Sequence, residues 1–150
     1  MPLLGKCVHN AADFEIQTES DLELYPTENL PEAIKCWEES HALSPSPDAL
    51  TNLASAYAMS SPSRPDLAVE HLKTASKLSP EDVEISYNLA TILEATEQLE
   101  EALVAYRRAL EGGVERASEN IRNVTAKIIG ARAAAEAAEK EKEKEKQAKK

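Results

Sequence analysis

A small residue, a large apolar one four places on and a second small one three further recur three times in this chain, as Ala33-Trp37-Ser40, Ala68-Leu72-Ala75 and Ala102-Tyr106-Ala109. The first two instances are offset by 35 residues at every position and the last two by 34, so one supersecondary unit is repeated in register. Such a unit cannot bury its apolar face alone. It must stack on its neighbours, which predicts a solenoid whose job is to present a surface.

The unit from Val83 to Arg116 states its plan most clearly. Leu89 and Leu93 share one helical face with Ala90 beside them, and Leu99, Ala102, Tyr106, Ala109 and Leu110 align on a second helix. Glu97-Gln98 makes the turn between them, and Gly112-Gly113 ends the second helix with residues that accept a left-handed backbone. Two antiparallel helices follow. The preceding unit, residues 47–82, repeats this grammar with Leu50, Leu53, Ala54 and Tyr57, then Leu67, Ala68, Leu72, Ala75 and Leu78. A wider turn, Ser60-Ser61-Pro62-Ser63-Arg64-Pro65, lengthens it by two residues. Ser46-Pro47-Asp48 and Ser79-Pro80-Glu81-Asp82 both read as helix starts, with Ser as the N-cap.

Outside these units the pattern weakens. Residues 11–46 form a degenerate first repeat: Leu30 to Leu43 is a good second helix, but Phe14, Ile16, Leu22 and Leu24 alternate with acids, which fits an extended segment as well as a helix. Residues 1–10 are expected to be a disordered N-terminus. Residues 117–138 read as a capping helix, with Ile121, Val124 and Ile128 covering the open end of the stack. Residues 139–150 are a charged Glu/Lys tail. Its strict alternation sets like charges four apart and opposite charges three apart, so a helix fraying into a solvated tail is expected.

Composition removes several function classes. The chain has 150 residues, 42% apolar and 29% charged, with only 4% aromatic and four Gly. The core is therefore built from Leu, Ile, Val and Ala, and no phosphate-cradling Gly-rich loop is available. The net charge of -10 repels polyphosphate, so no nucleic-acid partner is expected. No apolar run approaches the roughly 20 residues needed to span a bilayer, and Met1 to Lys6 lacks the apolar stretch of a secretory signal. The expected location is cytoplasmic, with nuclear possible. In a reducing compartment both Cys7 and Cys36 should stay free.

The two better units resemble the tetratricopeptide repeat family. The family pattern runs large-x2-Leu-small-x2-large, then Ala-x3-aromatic-x2-Ala and a closing Pro. Residues 83–116 supply Leu89, Ala90, Leu93, Ala102, Tyr106 and Ala109; residues 47–82 supply Leu50, Leu53, Ala54, Tyr57, Ala68, Leu72, Ala75 and Pro80. Ser86 and Val114 depart from it, standing where the family prefers a bulky residue and the closing Pro. The resemblance implies an all-α helical-hairpin solenoid, a right-handed superhelix of about three repeats plus the C-terminal capping helix. The first helices would line a concave groove in which extended peptides or partner helices dock. It implies no chemistry, and family members serve as co-chaperones, adaptors and subunits of assemblies.

The groove residues expected on this basis are Thr51, Asn52, Ser55 and Met59, with Tyr87, Asn88, Thr91 and Glu94. Asn52 and Asn88 hold the same repeat position, and each could give a donor and an acceptor to a peptide backbone; the alternative is that each bonds a neighbouring helix. The family's carboxylate clamp, which holds the C-terminus of heat-shock chaperones with paired cations, is not expected. Its positions carry Thr18, Leu22, Glu84 and Asn88, although Asn52 matches.

No catalytic constellation emerges. Cys7, His9, Cys36 and His41 lack zinc-ligand spacing, His71 stands alone, and the acids lie among Lys and Arg as on a solvated surface. No enzyme, metal or cofactor is expected. The sequence points to a non-enzymatic protein-protein interaction module, an adaptor or co-chaperone-like scaffold binding a peptide or partner helix. The alternative is a structural subunit permanently buried in a larger assembly.

Overall fold

The computed structural model describes residues 30–149, which form six α-helices and no strand among the described residues. They are α1 (Leu30–Leu43), α2 (Pro47–Met59), α3 (Pro65–Leu78), α4 (Val83–Ala95), α5 (Leu99–Glu111) and α6 (Ala117–Ala148). Each packs on the next in the chain. The expected disordered N-terminus and the first half of the degenerate repeat lie outside the described residues.

The recurring triplet is the packing code. Ala68, Ala75, Ala102, Ala109 and Tyr106 are wholly buried, with Leu72 and Trp37 nearly so. Small side chains let backbones approach while the large one fills the space between them. Two core clusters result. One, around Trp37, Leu50, Leu53, Tyr57 and Leu72, joins α1, α2 and α3. The other, around Leu93, Ala102, Tyr106, Val124 and Ile128, joins α4, α5 and α6, and Leu89 packs against both. Leu78 and Leu110, which align with the buried positions in the sequence, sit in the last helical turns and are 49% and 37% exposed.

Local chemistry sets the helix ends. Ser46 caps α2, its Oγ accepting from the Ala49 N–H at 3.1 Å. Ser79 does not cap α4: that helix starts at Val83, and the Asp82 carboxylate accepts from the Glu84 N–H at 3.1 Å. Asp is the stronger acceptor, and Ser79 and Pro80 are left to the turn. Both hairpin-closing turns after α4 and α5 are Schellman motifs. After α5 the Val114 N–H bonds Ala109 C=O at 2.9 Å and the Gly113 N–H bonds Leu110 C=O at 3.0 Å, with Gly113 at φ 101°. Val114 thus uses an N–H that the family's Pro would lack. After α4 the left-handed position is Glu97, at φ 59°.

Only Gly113 of the Gly112-Gly113 pair is left-handed. Gly112, at φ -82°, is there for proximity: a Cβ on it would lie 2.2 Å from Val83 Cγ1. At the far end, α6 buries Ala117, Val124 and Ile128 against the stack, with Ile121 partly buried. The helix then runs unbroken across position 138 to Ala148, and residues 129–149 are all exposed. Its Ala-rich stretch has high helix propensity, and the opposite charges three apart offset the like charges four apart. No helix among the described residues is long and apolar enough to cross a membrane.

Candidate functional site

Cross-stack contacts sort the helices into two sides. Tyr87 and Glu94 of α4 reach Asn120 and Lys127 of α6, while Lys73 and Ser76 of α3 reach Glu101 and Arg108 of α5. His41 of α1 lies edge-on to His71 of α3. One side is therefore α2, α4 and α6, and the other α1, α3 and α5.

All eight expected groove residues lie on α2 and α4, and they divide by what they already bond. Asn52 is 8% exposed and Asn88 half-buried, and neither side-chain amide makes a hydrogen bond among the described residues. The hydroxyls of Thr51, Ser55 and Thr91 donate to their own helix backbone, at Pro47 C=O (2.9 Å), Thr51 C=O (3.1 Å) and Asn88 C=O (2.8 Å). They keep lone pairs for an incoming donor but have no proton to give. Met59 is half-buried at the end of α2.

Tyr87 and Glu94 belong to a network that sequence reasoning missed. Tyr106 O–H donates to Glu94 Oε2 at 2.9 Å, and Lys127 Nζ donates to Oε1 at 2.7 Å. Asn120 Nδ2 donates to the Tyr106 oxygen at 3.2 Å, and Tyr87 O–H donates to Asn120 Oδ1 at 3.3 Å. The Arg116 guanidinium lies 4.3 Å from the centre of the Tyr87 ring and pairs with Glu84. Burial pushes the Glu94 carboxyl up, but the bonds from Lys127 and Tyr106 outweigh it and hold it below the usual carboxylate range. Burial, then the bond to Glu94, raises the Tyr106 hydroxyl. The legible signal was opposite charge one repeat apart: Glu84 and Arg116 are 32 residues apart, Glu94 and Lys127 33.

A second cluster binds α1 to the stack. Tyr57 O–H donates to Glu38, and the Tyr57 ring stacks on His71 at 5.6 Å between centroids. Burial, then the bond to Glu38, pushes Tyr57 up to about 12. Burial lowers His71. Cys36 of α1 is disulfide-bonded, which corrects the expectation that it stays free; the other cysteine of the sequence, Cys7, lies outside the described residues. No group of three or more His, Cys, Asp or Glu that could hold a metal occurs among the described residues.

The arrangement offers neutral hydrogen bonding, with the carboxylate oxygens of Glu94 already occupied. Helical hairpins stacked in register, with unpaired amides recurring on one side, define an all-α repeat solenoid. Residues 62–128, a little under half of the chain, match the family described as tetratricopeptide repeat. No curated protein matches the chain by sequence. Among solved structures, the first repeat domain of Spaghetti (RPAP3), determined bound to HSP90 peptide SRMEEVD, is 25% identical with a TM-score of 0.62, over 68% of this chain and 82% of that one. The first such domain of human RPAP3 is 24% identical with a TM-score of 0.61, over 69% and 82%. The Sgt2 domain from Aspergillus fumigatus is 17% identical with a TM-score of 0.66, over 89% and 83%. These last two show likeness of fold.

Proposed function

We propose that this chain is a non-enzymatic protein-protein interaction module, adaptor or co-chaperone-like, that holds an extended peptide or partner helix against the side formed by α2, α4 and α6. The observation that carries this reading is the pair of Asn52 and Asn88 amides, at one repeat position and without side-chain hydrogen bonds among the described residues. An extended peptide presents N–H and C=O groups along its length, and one amide can answer both. That the Spaghetti domain was solved with a peptide of HSP90 supports a peptide as the ligand class.

A terminal carboxylate is not the anchor in this reading. On α4 the candidate cation positions hold Glu84, already paired with Arg116, and Asn88. One exposed cation, Arg122 on α6, falls at the repeat position of Asn88, and a carboxylate held by one exposed cation gains little. Amidating SRMEEVD should therefore leave its affinity within about threefold, whereas a loss of more than about tenfold would install the clamp instead. The wider test is Asn52→Ala with Asn88→Ala, in affinity capture from the native cell and in thermal melting. Partner capture should fall while melting stays nearly unchanged. Lost melting stability with capture intact would mean that the amides serve packing, since leaving buried groups unsatisfied costs about 1–3 kcal/mol each.

A further inference from the structure

Ser86 takes, in the third repeat, the place that Leu50 fills in the second. The two are 36 residues apart, as Asn52 and Asn88 are, and each stands three residues before the Leu-Ala pair of its helix. Leu50 is wholly buried in the first core cluster. A cleft of about 400 Å³ opens between α3 and α5, with Ser86, Leu89 and Leu93 of α4 as its floor and Val104 and Ala105 of α5 along one wall. It lies on the side opposite the proposed groove and does not depend on that reading.

Two features define what it takes. Ser86 is only 3% exposed, yet its hydroxyl makes no side-chain hydrogen bond among the described residues and borders the cleft. That hydroxyl is free to bond an occupant, which then gains over one that only fills space. At the rim, Lys73 pairs with Glu101 at 2.9 Å and Glu100 with Arg132 at 3.6 Å. Arg108 is different. It donates only to neutral oxygens, Pro80 C=O at 2.7 Å and Ser76 Oγ at 3.4 Å, and has no carboxylate partner among the described residues.

We propose that this cleft is a docking pocket for an aromatic side chain of a partner protein, one with a polar ring edge, borne beside an acidic residue that pairs with Arg108. A flat ring suits a slot between two helices with an apolar floor, and an indole N–H or phenol O–H meets the lone hydroxyl at Ser86. Arg108, the rim cation without a carboxylate partner among the described residues, adds a modest preference for an acidic neighbour. Val104, 68% exposed on the wall, leaves the mouth open. A free small molecule there would stay largely solvated, whereas a side chain arrives with its own backbone to cover the rim.

The test is amide NMR of the isotope-labelled full chain titrated with the peptide acetyl-Ser-Asp-Trp-Ser-amide, beside versions with Ala for Trp and with Lys for Asp. The Asp-Trp peptide should give saturable shifts centred on Ser86, Leu89, Leu93 and Ala105. The Ala version should give none, and the Lys version should bind about threefold or more weakly. Ser86→Leu, which fills the floor, should cut affinity at least about tenfold. Val104→Lys, at an exposed position, should do the same and stands in if leucine repacks α4. Arg108→Gln should bring the Asp and Lys peptides to equal affinity. The proposal is overturned if no saturable shift occurs at about millimolar peptide. It also fails if the Ala version shifts the same residues equally, or if binding survives both cleft variants.

Discussion

At the scale of single residues, Tyr106 joins the repeat to its polar network. Its ring is wholly buried, 5.6 Å from the Tyr87 ring, while its hydroxyl bonds both Glu94 and Asn120. Tyr106→Ala should cost about 3–5 kcal/mol through the cavity it leaves. Tyr106→Phe keeps the ring and should cost about 1–3 kcal/mol, because Glu94 loses a donor in a half-buried site. Denaturant titration of both variants checks the order; equal losses would mean that the hydroxyl carries the whole effect. Gly112 makes a second residue-scale case. Its backbone occupies the space a methyl would need against Val83, so Gly112→Ala should destabilise by about 1–3 kcal/mol. Adding Val83→Ala should restore part of that loss, and strictly additive effects in the double variant would argue against the contact.

At the scale of elements, α6 does two jobs along one continuous helix. Its first three turns close the second core cluster through Ala117, Val124 and Ile128, and everything from 129 to 149 is exposed. A chain stopped at Arg116 should therefore melt lower or lose solubility, because the apolar end of α5 is uncovered. A chain stopped at Ala138 should melt like the full chain. The opposite ranking would place the stabilising contacts in the Glu/Lys segment. The triplets of α3 and α5 were legible because burial there follows from helical period alone. The exposure of Leu78 and Leu110 was not, since periodicity marks a face but not the point where a neighbouring helix ends.

For the whole molecule, the stacking clusters make stability depend on pH. His71 is packed against Tyr57 and His41, with Glu38 and Glu70 nearby, and burial holds it below its ordinary value of about 6.5. A depressed folded value gives stability that is present above the unfolded value and lost as pH falls, so melting should begin to drop below about pH 6.5. Glu94, also depressed, adds a second loss on the acid side, below about pH 4.3. Tyr57, raised to about 12, adds a loss as pH climbs above its ordinary value of about 10. Melts from about pH 2 to 8 should show the first two, and His71→Gln should flatten the upper one. A wild-type profile level from pH 8 to 5 would remove His71 from this role.

The sequence by itself determined the fold class, the repeat register, the buried triplets of α3 and α5 and the recurrence of Asn52 and Asn88, because each follows from a period along the chain. Only the tertiary structure decided which of the groove groups remain unbonded. Tyr87 and Glu94 share the helical face of Asn88 in the sequence, yet their partners Asn120 and Lys127 come from a helix one repeat later. The structure likewise decided that Asp82 rather than Ser79 caps α4, that Cys36 is bonded, and that Ser86 lies at the floor of a cleft between α3 and α5. A period fixes which way a side chain points, but satisfaction of a polar group and filling of a space are properties of two surfaces brought together. Their distance is set by packing rather than by position along the chain.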